Sequence, residues 1–400
     1  MRRSPRGRRL DVDARFELSF VHRLRFTRDA FEPRNRTLAD VLDPGSRDRS
    51  RVLVFVDTGL ADARADLRPR IEAYFDAHRQ RNEPANGVQL VPGGEPVKND
   101  PATLEAVLRA IHDARLCRQS YVVAVGGGAV LDLVGYAAAI AHRGVRLVRL
   151  PTTTLSQADS GVAVKNGVNA FGRKNYLGTF SPPWAVINDT DLLETLSDRD
   201  WHSGFSEAVK IGLVKDRGLF TRIAADAARI QRRDASAALP VLRRSVELHL
   251  QHIVTCGDAF ELTHARPLDF GHWAAHKLEQ LTDFRLRHGE AVAIGVALDS
   301  IYSALAGHLP WREAETICGC LRALGLALCH QALLRSELLD GLEEFREHLG
   351  GPLTITLLRR IGEGFDVHAI DRPTMLEAIQ RLSTIAAPTP YPLHVLNRLS

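Results

Sequence analysis

Tyr121-Val-Val-Ala-Val-Gly-Gly-Gly128 is an apolar run that ends at three glycines, and a helical pattern begins directly after it. A continuous apolar run of this length is typical of a strand that is buried on both faces of a parallel sheet. Glycines at such a strand end let the backbone approach a pyrophosphate, and the N-terminus of the following helix supplies amide donors. The order is not G-x-G-x-x-G, so the three glycines alone are at least as compatible with a tight structural turn.

Similar strand and helix signals lie on both sides of this stretch. Residues 51–56, 88–92 and 146–150 are short runs rich in aliphatic side chains, and each ends at a turn signal. Residues 101–117 have helical periodicity, with Asp100 as the N-cap and a proline in the first turn. This alternation predicts an α/β domain whose parallel sheet is covered by helices on both faces.

The pattern changes in the second half of the chain. Long amphipathic helical stretches, such as residues 239–254 and 290–305, dominate there, and strand signals are few. We therefore predict a basic, disordered tail over residues 1–20, an α/β domain over 21–197 and an all-α domain over 198–400. In α/β sheets ligands bind beyond the carboxyl ends of the strands, so we expect the site in the cleft between the two domains.

The composition is that of a soluble globular protein. Of the 400 residues, 45% are hydrophobic and 25% charged, and the longest apolar stretch is interrupted by Asp132 and by glycines, so no membrane span is expected. No apolar segment follows the basic start, which argues against a signal peptide. None of the five cysteines forms a C-x-x-C pair, and we expect a reduced, cytoplasmic setting without a thiolate zinc site.

The positive net charge comes from one end of the chain. Five arginines lie within the first nine residues, and without these five charges the formal net charge falls from +4 to −1. A basic tail can bind nucleic acid or anionic lipid, but more often it is a solvated terminus. We therefore expect neither nucleic acid nor a membrane as a partner.

A group of histidines and acids has the chemistry of metal ligands. His272 and His276 lie four residues apart, on one face of a helix, and His288 follows at the start of an apolar helix. Upstream, Glu207 and Lys210 lie one helical turn apart. Zinc binds histidine nitrogens and carboxylate oxygens, and three protein ligands leave a position for a substrate oxygen. A single histidine is more often an ordinary core or surface group, whereas three so close together favour a site.

Several short motifs follow one another along the chain. They are Glu95-x-x-Lys98, Gly126-Gly-Gly128 with Asp132, Arg143-Gly144, Pro151-Thr-Thr153, Asp159, Lys165-Asn-Gly-Val-Asn169, Lys174-Asn175-x-x-Gly178, Glu207-x-x-Lys210, Phe270-Gly-His272-x-x-x-His276 and His288-Gly-Glu-Ala-Val-Ala-Ile-Gly295. Together they resemble the 3-dehydroquinate synthase-like family of sugar phosphate cyclases. The resemblance covers roughly residues 50–365.

The resemblance implies an N-terminal NAD-binding α/β domain, a C-terminal helical metal-binding domain and a homodimer. It also implies a phosphate-eliminating lyase that uses and regenerates tightly bound NAD on a sugar phosphate. In that reaction an alcohol is transiently oxidised, phosphate is eliminated, the ketone is reduced, the ring opens and an intramolecular aldol step closes a carbocycle.

The resemblance also assigns roles to individual residues. The metal, Zn²⁺ or Co²⁺, is expected on Glu207, His272 and His288. The substrate hydroxyls and phosphate are expected to meet Asp159, Lys165, Lys174, Asn175, Lys210 and His276, while Arg143 reaches the phosphate site of the partner subunit. NAD is expected to contact Asp57, Glu95, Lys98, Gly127, Gly128, Asp132, Thr152, Thr153, Lys174 and Thr195.

One part of the site departs from the family pattern. Dehydroquinate synthases have an arginine, an asparagine and a lysine at three positions that here are Ala265, Asp269 and Gln251-His252, and in the family the arginine and the lysine clamp the substrate carboxylate. A carboxylate desolvated without a cationic partner costs on the order of 3–5 kcal/mol, and the acid Asp269 adds repulsion. We therefore predict a substrate without a carboxylate at that end, such as sedoheptulose 7-phosphate. A clamp shifted by one residue to Arg266 is the alternative.

Three other functions stay open at the level of the sequence. The first is authentic 3-dehydroquinate synthase, which the family signal alone favours. The second is a metal-dependent polyol dehydrogenase, although that reaction has no phosphate for the lysines and Asn175 to hold. The third is a non-catalytic binding protein on an enzyme scaffold, against which the intact set of metal ligands argues.

Overall fold

Six parallel strands form the central sheet of the protein. A computed structural model describes residues 13–42, 49–260 and 267–386. The strands are β1 (Leu24–Thr27), β2 (Ser50–Asp57), β3 (Asn82–Val91), β4 (Tyr121–Gly126), β5 (Arg146–Pro151), β6 (Lys165–Ala170), β7 (Arg173–Phe180), β8 (Ala185–Asp189), β9 (Ile355–Arg360) and β10 (Glu363–Val367). The order across the central sheet is β1-β8-β5-β4-β2-β3, and every neighbouring pair is parallel.

The α-helices cover both faces of this sheet and form most of the second half of the chain. They are α1 (Thr37–Val41), α2 (Thr58–Ala63), α3 (Leu67–Ala77), α4 (Pro101–Asp113), α5 (Gly128–Ile140), α6 (Thr154–Ala158), α7 (Asp198–Ser203), α8 (Phe205–Lys215), α9 (Arg217–Gln231), α10 (Ala235–Thr255), α11 (His272–Leu281), α12 (His288–Leu305), α13 (Trp311–Ala323), α14 (Asp340–Leu349) and α15 (Arg372–Ala386).

The middle of the sheet is apolar on both faces. Every residue of β4 is buried. Val123 and Val125 pack on one face with Tyr74 of α3, whereas Val122 and Ala124 pack on the other face with α4 and α5. Because successive side chains of a strand point to opposite faces, a strand covered on both sides requires the uninterrupted apolar run that the sequence contains. The predicted α/β architecture is confirmed.

The edge strand β3 is longer than the sequence predicts. It begins at Asn82 and passes through Asn86 and Gly87, which have φ values of 55° and 65°. Asn-Gly is a turn signal, so the prediction began the strand only after it. At the edge of a sheet an irregularity is tolerated, and the pairing of β2 with β3 shifts its register between Val52 and Val54 at this place.

Two antiparallel pairs, β6–β7 and β9–β10, lie outside the central sheet. The sequence pattern predicts neither, because most of β7 is exposed and lacks an alternating apolar face. The pair β9–β10 belongs to the otherwise helical part. We expected that part to be all-α, and it also contains this antiparallel pair. Both pairs are additions to the predicted fold and leave its two-part plan unchanged.

A buried arginine organises the loop between β5 and β6. The guanidinium of Arg149 donates hydrogen bonds to Gly161 O (2.9 Å), Ala163 O (2.7 Å), Lys165 O (3.1 Å) and Asn166 Oδ1 (2.6 Å). Burial lowers the pKa of Arg149 to about 10, which still leaves it charged at neutral pH. These hydrogen bonds hold the segment that follows Asp159, a predicted site residue.

The helices of the second half enclose a separate core around Trp273, Phe205 and Phe270. The sheet ends with β8 and the long helices begin with α8, while the domain boundary at residue 197 stays a prediction. Of the predicted tail, residues 1–12 lie outside the described residues, and residues 13–20 are exposed without helix or strand. Among the helices of the described ranges, none has the length and apolar character needed to cross a membrane.

Candidate functional site

The three predicted metal ligands converge in the helical part. Glu207 lies in α8, and His272 and His288 are the first residues of α11 and α12. Nε2 of His288 is 3.3 Å and Nε2 of His272 is 3.5 Å from Oε1 of Glu207. One ligand atom of each residue lies within 4.8 Å of the others, which is close enough for the three to share one ion.

Two glycines bring the ligand-bearing helices together. Gly271 has a φ of 78°, and a Cβ added there would lie 2.5 Å from the backbone nitrogen of Val296 in α12. A Cβ on Gly295 would lie 2.0 Å from the carbonyl oxygen of Gly271. Only glycine permits this approach and the left-handed backbone at Gly271. The rings of His272 and His288 consequently lie 5.5 Å apart between centroids.

Asp299 anchors the turn that leads into α11. Its carboxylate accepts hydrogen bonds from Gly271 N and from Trp273 Nε1, both at 3.0 Å. Burial raises the pKa of Asp299 to about 7, although the two N–H donors favour the ionised form. Nδ1 of His272 lies 3.1 Å from Phe270 O. With the proton on Nδ1 donated to that carbonyl, Nε2 keeps its lone pair on the side of Glu207.

Glu207 is a completely buried carboxylate beside a lysine. Its Oε2 lies 2.6 Å from Lys210 Nζ, yet among the described residues neither oxygen accepts a hydrogen bond of regular geometry. Burial opposes ionisation, but the Lys210 ammonium outweighs it, and the pKa of Glu207 lies well below its usual value. Buried carboxylate oxygens that face two imidazole nitrogens have the donor chemistry of a divalent-metal site.

A second acid, Asp159, lies beside Lys210. Its Oδ2 is 3.8 Å from Lys210 Nζ, and its Oδ1 is 2.7 Å from Nδ1 of His249 in α10. The sequence reasoning missed His249 and looked instead to Gln251 and His252. Gln251 is exposed, whereas His249 belongs to the buried face of α10. The i, i+4 spacing of that buried face was the available signal.

Glu279 is the other residue that the sequence reasoning missed. It is buried in α11, one turn after His276 and on the same face as His272. Its Oε2 is 3.0 Å from His288 Nδ1, and its Oε1 accepts a 2.6 Å hydrogen bond from Lys174 Nζ. Burial lowers the pKa of His288, but the Glu279 carboxylate more than offsets it and the pKa rises to about 9.

A cavity of about 750 Å³ lies between the carboxyl edge of the sheet and the helices. All ten residues predicted for NAD line it, namely Asp57, Glu95, Lys98, Gly127, Gly128, Asp132, Thr152, Thr153, Lys174 and Thr195. Its other wall contains His276, Glu279 and His288 of the helical part, together with Asn175 of β7. The glycine turn and the histidine cluster therefore face one space.

Lys98 is a buried cation in the wall of this cavity, and its side chain is only 2% exposed. Its Nζ donates to Asp132 Oδ2 at 2.7 Å and also to Asn175 Oδ1, and it lies 3.8 Å from Glu95 Oε1. Asn175 adopts a left-handed backbone with a φ of 52°. Lys98 thus connects residues from three different elements that were predicted to bind NAD or phosphate.

Seven predicted residues do not line the cavity: Glu207, His272, Asp159, Lys210 and Asp269 belong to the buried or half-buried group around the predicted metal ligands, whereas two others are exposed. Lys165 is exposed at the start of β6 and does not line it. Arg143 is exposed beyond the C-terminal end of α5, whereas the glycine turn precedes the N-terminus of that helix. Arg143 and the preceding His142 both have positive φ values, 62° and 53°. A helix of this length separates its two ends by about 20 Å, and Arg143 is not among the residues that line the cavity.

Asp269 lies close to the metal cluster. It is half-buried in the short turn Pro267–Asp269, directly before Phe270 and three residues before the predicted metal ligand His272. Burial lowers the pKa of Lys210, but the charges of Asp159, Glu207 and Asp269 reverse this and raise it above its usual value. Ala265, at the position of the family's arginine, and Arg266, the candidate for a shifted clamp, lie outside the described residues.

The fold and the site together define a two-part protein of the dehydroquinate synthase type, in which a glycine-lined cavity adjoins a carboxylate–histidine cluster. Residues 88–203 match the N-terminal family of 3-dehydroquinate synthase, and residues 204–344 match the C-terminal family. The chain belongs to the 3-dehydroquinate synthase family.

Three known proteins illustrate the similarity. The 3-dehydroquinate synthase of Ruegeria sp. (strain TM1040) is 34% identical over 307 residues, which cover 74% of this chain and 82% of that protein. The 2-epi-5-epi-valiolone synthase of Streptomyces glaucescens is 33% identical over 353 residues, which cover 88% and 87%. The structure of the 2-epi-5-epi-valiolone synthase from Streptomyces hygroscopicus subsp. jinggangensis 5008, with NAD⁺ and Zn²⁺ bound, is 29% identical, with a TM-score of 0.83 and coverage of 94% and 99%.

Proposed function

We propose that the protein is an NAD- and metal-dependent sugar phosphate cyclase that acts on a ketoheptose phosphate such as sedoheptulose 7-phosphate. The observation that carries the proposal is the single cavity lined by both the glycine turn and the histidine cluster. A cofactor on the glycine turn and a sugar phosphate beside the cluster would share that space. The similarity to a valiolone synthase whose structure holds NAD⁺ and Zn²⁺ supports both partners.

The glycine turn has the features of a dinucleotide site. Gly127 caps α5, and the N-terminus of that helix presents backbone donors to an anion. A Cβ on Gly93 would lie 2.4 Å from Oδ2 of Asp57, so a side chain there would displace a carboxylate that lines the cavity. The ten residues of the cavity wall given above would hold NAD. Bound NAD⁺ supplies a reversible hydride acceptor.

The set Glu207, His272 and His288 fits a catalytic zinc or cobalt site. Two imidazole nitrogens and one carboxylate oxygen are three protein ligands, and such sites keep a position for substrate or water. The buried oxygens of Glu207, which accept no hydrogen bond of regular geometry from the described residues, are the specific observation in favour of a cation there. The bound cation supplies Lewis acidity towards a substrate oxygen.

Lys210 and Asp159 are placed to handle the substrate hydroxyls. The Lys210 ammonium lies between Glu207 and Asp159, at 2.6 and 3.8 Å, and can donate a hydrogen bond to a substrate oxygen. Asp159 can accept a proton from a neighbouring hydroxyl, with His249 at its other oxygen. Because all three side chains are buried, bulk water does not compete for these contacts.

Lys174, Asn175 and His276 would hold the phosphate, because their side chains line the same cavity wall. Release of that phosphate makes the enzyme a carbon–oxygen lyase. Lys165 and Arg143 were predicted for the same task. We propose a homodimer in which Arg143, which is exposed on its own chain, serves the partner's cavity.

The charges near Lys210 favour a substrate without a carboxylate. The charges of Asp269, Asp159 and Glu207 all act on this lysine, and among the described residues His249 is a further basic side chain within ion-pair distance of Asp159. A further carboxylate at this place would meet three acids, which raises the cost of binding an acid substrate. The substrate of an authentic 3-dehydroquinate synthase carries that carboxylate and a ketoheptose phosphate does not, so these acids favour the latter.

The test is to incubate the purified protein with NAD⁺ and Zn²⁺ and either sedoheptulose 7-phosphate or the heptulosonate phosphate of 3-dehydroquinate synthase. We expect phosphate release from the former and a carbocyclic product by NMR. His272→Ala should abolish it, and His308→Ala, which changes an exposed histidine away from the cavity, should not. Turnover of the heptulosonate phosphate alone would identify an authentic dehydroquinate synthase, and net NADH accumulation a polyol dehydrogenase.

A further inference from the structure

Glu279 lies between a predicted metal ligand and a cation of the cavity. Its Oε2 is 3.0 Å from Nδ1 of His288, and its Oε1 is 2.6 Å from Nζ of Lys174. The side chain of Glu279 is 3% exposed and that of Lys174 is 12% exposed. Each carboxylate oxygen thus holds a different donor, and the two donors come from separate elements, α12 and β7.

We propose that Glu279 is a positioning residue of the site. Its carboxylate orients the imidazole of His288 towards the metal and the ammonium of Lys174 towards the cavity, and this inference rests on the proposed function. A metal-binding histidine commonly donates the N–H of its other ring nitrogen to a carboxylate, which fixes both tautomer and ring orientation. When the imidazole of His288 is neutral and donates its Nδ1 proton to Glu279, the lone pair of Nε2 lies on the side of Glu207, 3.3 Å away.

The contact with Lys174 ties an otherwise exposed strand to the metal-binding helices. Most of β7 is exposed, and Lys174 is one of its two half-buried residues. Its neighbour Asn175 accepts a hydrogen bond from Lys98 on the cofactor side of the cavity. Glu279 therefore connects the metal cluster with the hairpin β6–β7, and through that hairpin with the predicted NAD residues.

An amide cannot replace the carboxylate at this position. Both oxygens of Glu279 accept hydrogen bonds, one from an imidazole N–H and one from an ammonium. In Glu279→Gln one of the two atoms becomes an NH₂ donor. Because the Lys174 ammonium can only donate, the amide oxygen keeps that contact and the NH₂ group faces Nδ1 of His288, which loses its acceptor. Glu279→Asp keeps the charge but is one methylene shorter, and we expect it to reach only one of the two partners.

The test measures zinc affinity by competition with a chromogenic chelator, and the visible absorption spectrum of the Co²⁺-loaded protein. For Glu279→Gln we expect zinc binding weaker by about 10–100-fold and an altered Co²⁺ spectrum, with an intermediate loss for Glu279→Asp. Lys174→Met should lower turnover while leaving zinc affinity unchanged. The matched control is Glu344→Gln, which removes the carboxylate partner of Lys277 on the same helix and should bind zinc like the wild type.

Wild-type zinc affinity and an unchanged Co²⁺ spectrum in folded Glu279→Gln would overturn the proposal. An equal loss in Glu344→Gln would overturn it as well, because it would indicate a general weakening of α11. If Glu279→Gln does not fold, the same two measurements on Glu279→Asp decide. Failure of the proposed function looks different: a wild-type protein that binds no zinc, or whose zinc affinity survives His272→Ala, contradicts the ligand set itself.

Discussion

Gly271→Ala is expected to lower the free energy of unfolding of the metal-free protein substantially, because the structure leaves no room for a side chain there. A residue with a side chain pays about 1–2 kcal/mol for the left-handed backbone that Gly271 adopts. The new Cβ would also lie 2.5 Å from Val296 N and 2.8 Å from Gly295 C. Both are backbone atoms of α12, so no side-chain rotation relieves the overlap.

Overpacking of this kind adds about 1–3 kcal/mol, so the total expected loss is about 2–5 kcal/mol. The assay is equilibrium unfolding in urea, with Gly307→Ala as the matched control. Gly307 has nearly the same φ, 76°, but a Cβ there would meet nothing within 4 Å, so it reports the backbone cost alone. Because α11 must move away from α12 to relieve the overlap, Gly271→Ala should also weaken zinc binding through His272.

The two variants together test whether α11 and α12 approach each other closely at Gly271. If Gly271→Ala and Gly307→Ala lose the same stability, the overlap with α12 does not exist and the close approach of the helices is wrong. If Gly271→Ala is destabilised but binds zinc like the wild type, the approach is real but does not position His272.

The remaining predictions concern three acids of the site. Asp299 has a pKa raised to about 7. Its contribution to the free energy of unfolding is therefore fully present below its unfolded pKa of about 4 and is lost, by up to about 4 kcal/mol, as the pH rises through 7. When the free energy of unfolding in urea is measured between pH 5 and 8, it should depend less on pH in Asp299→Asn than in the wild type. Asp269→Asn should raise kcat/KM for the heptulosonate phosphate relative to sedoheptulose 7-phosphate by about tenfold, which corresponds to about 1.4 kcal/mol, and an unchanged ratio would count against repulsion as the source of selectivity. Removal of zinc with a chelator should lower the melting temperature of the wild type but not that of Glu207→Gln, as measured by thermal unfolding with and without added zinc.

The sheet was predictable because its signal is local. The run that ends in Gly126 has to be buried on both faces, and the structure places it in the middle of six parallel strands. The same turn lines the cavity, as the position of ligand sites in α/β folds predicts. The hairpin that carries Lys174 was not predictable in this way, because an exposed strand has no apolar periodicity to reveal it.

The site shows the same division between local and tertiary information. The residue types and order pointed to Glu207, His272 and His288, and the structure brings them within reach of one ion. His249 and Glu279 were missed because a buried histidine and a buried acid acquire meaning only from what they touch. Their helical spacing predicts an inward face, but the contacts with Asp159 and Lys174 depend on how separate elements pack.

The buried guanidinium of Arg149 has a consequence for how the loop that carries Asp159 can change over evolution. Four acceptors from residues 161–166 converge on one side chain, so a single template fixes the course of the chain between Asp159 and the start of β6. Substitutions that keep the backbone carbonyls in place are tolerated, whereas an insertion or deletion would misalign all four at once. Variation in substrate preference is therefore expected to arise from side chains on this loop and not from its length.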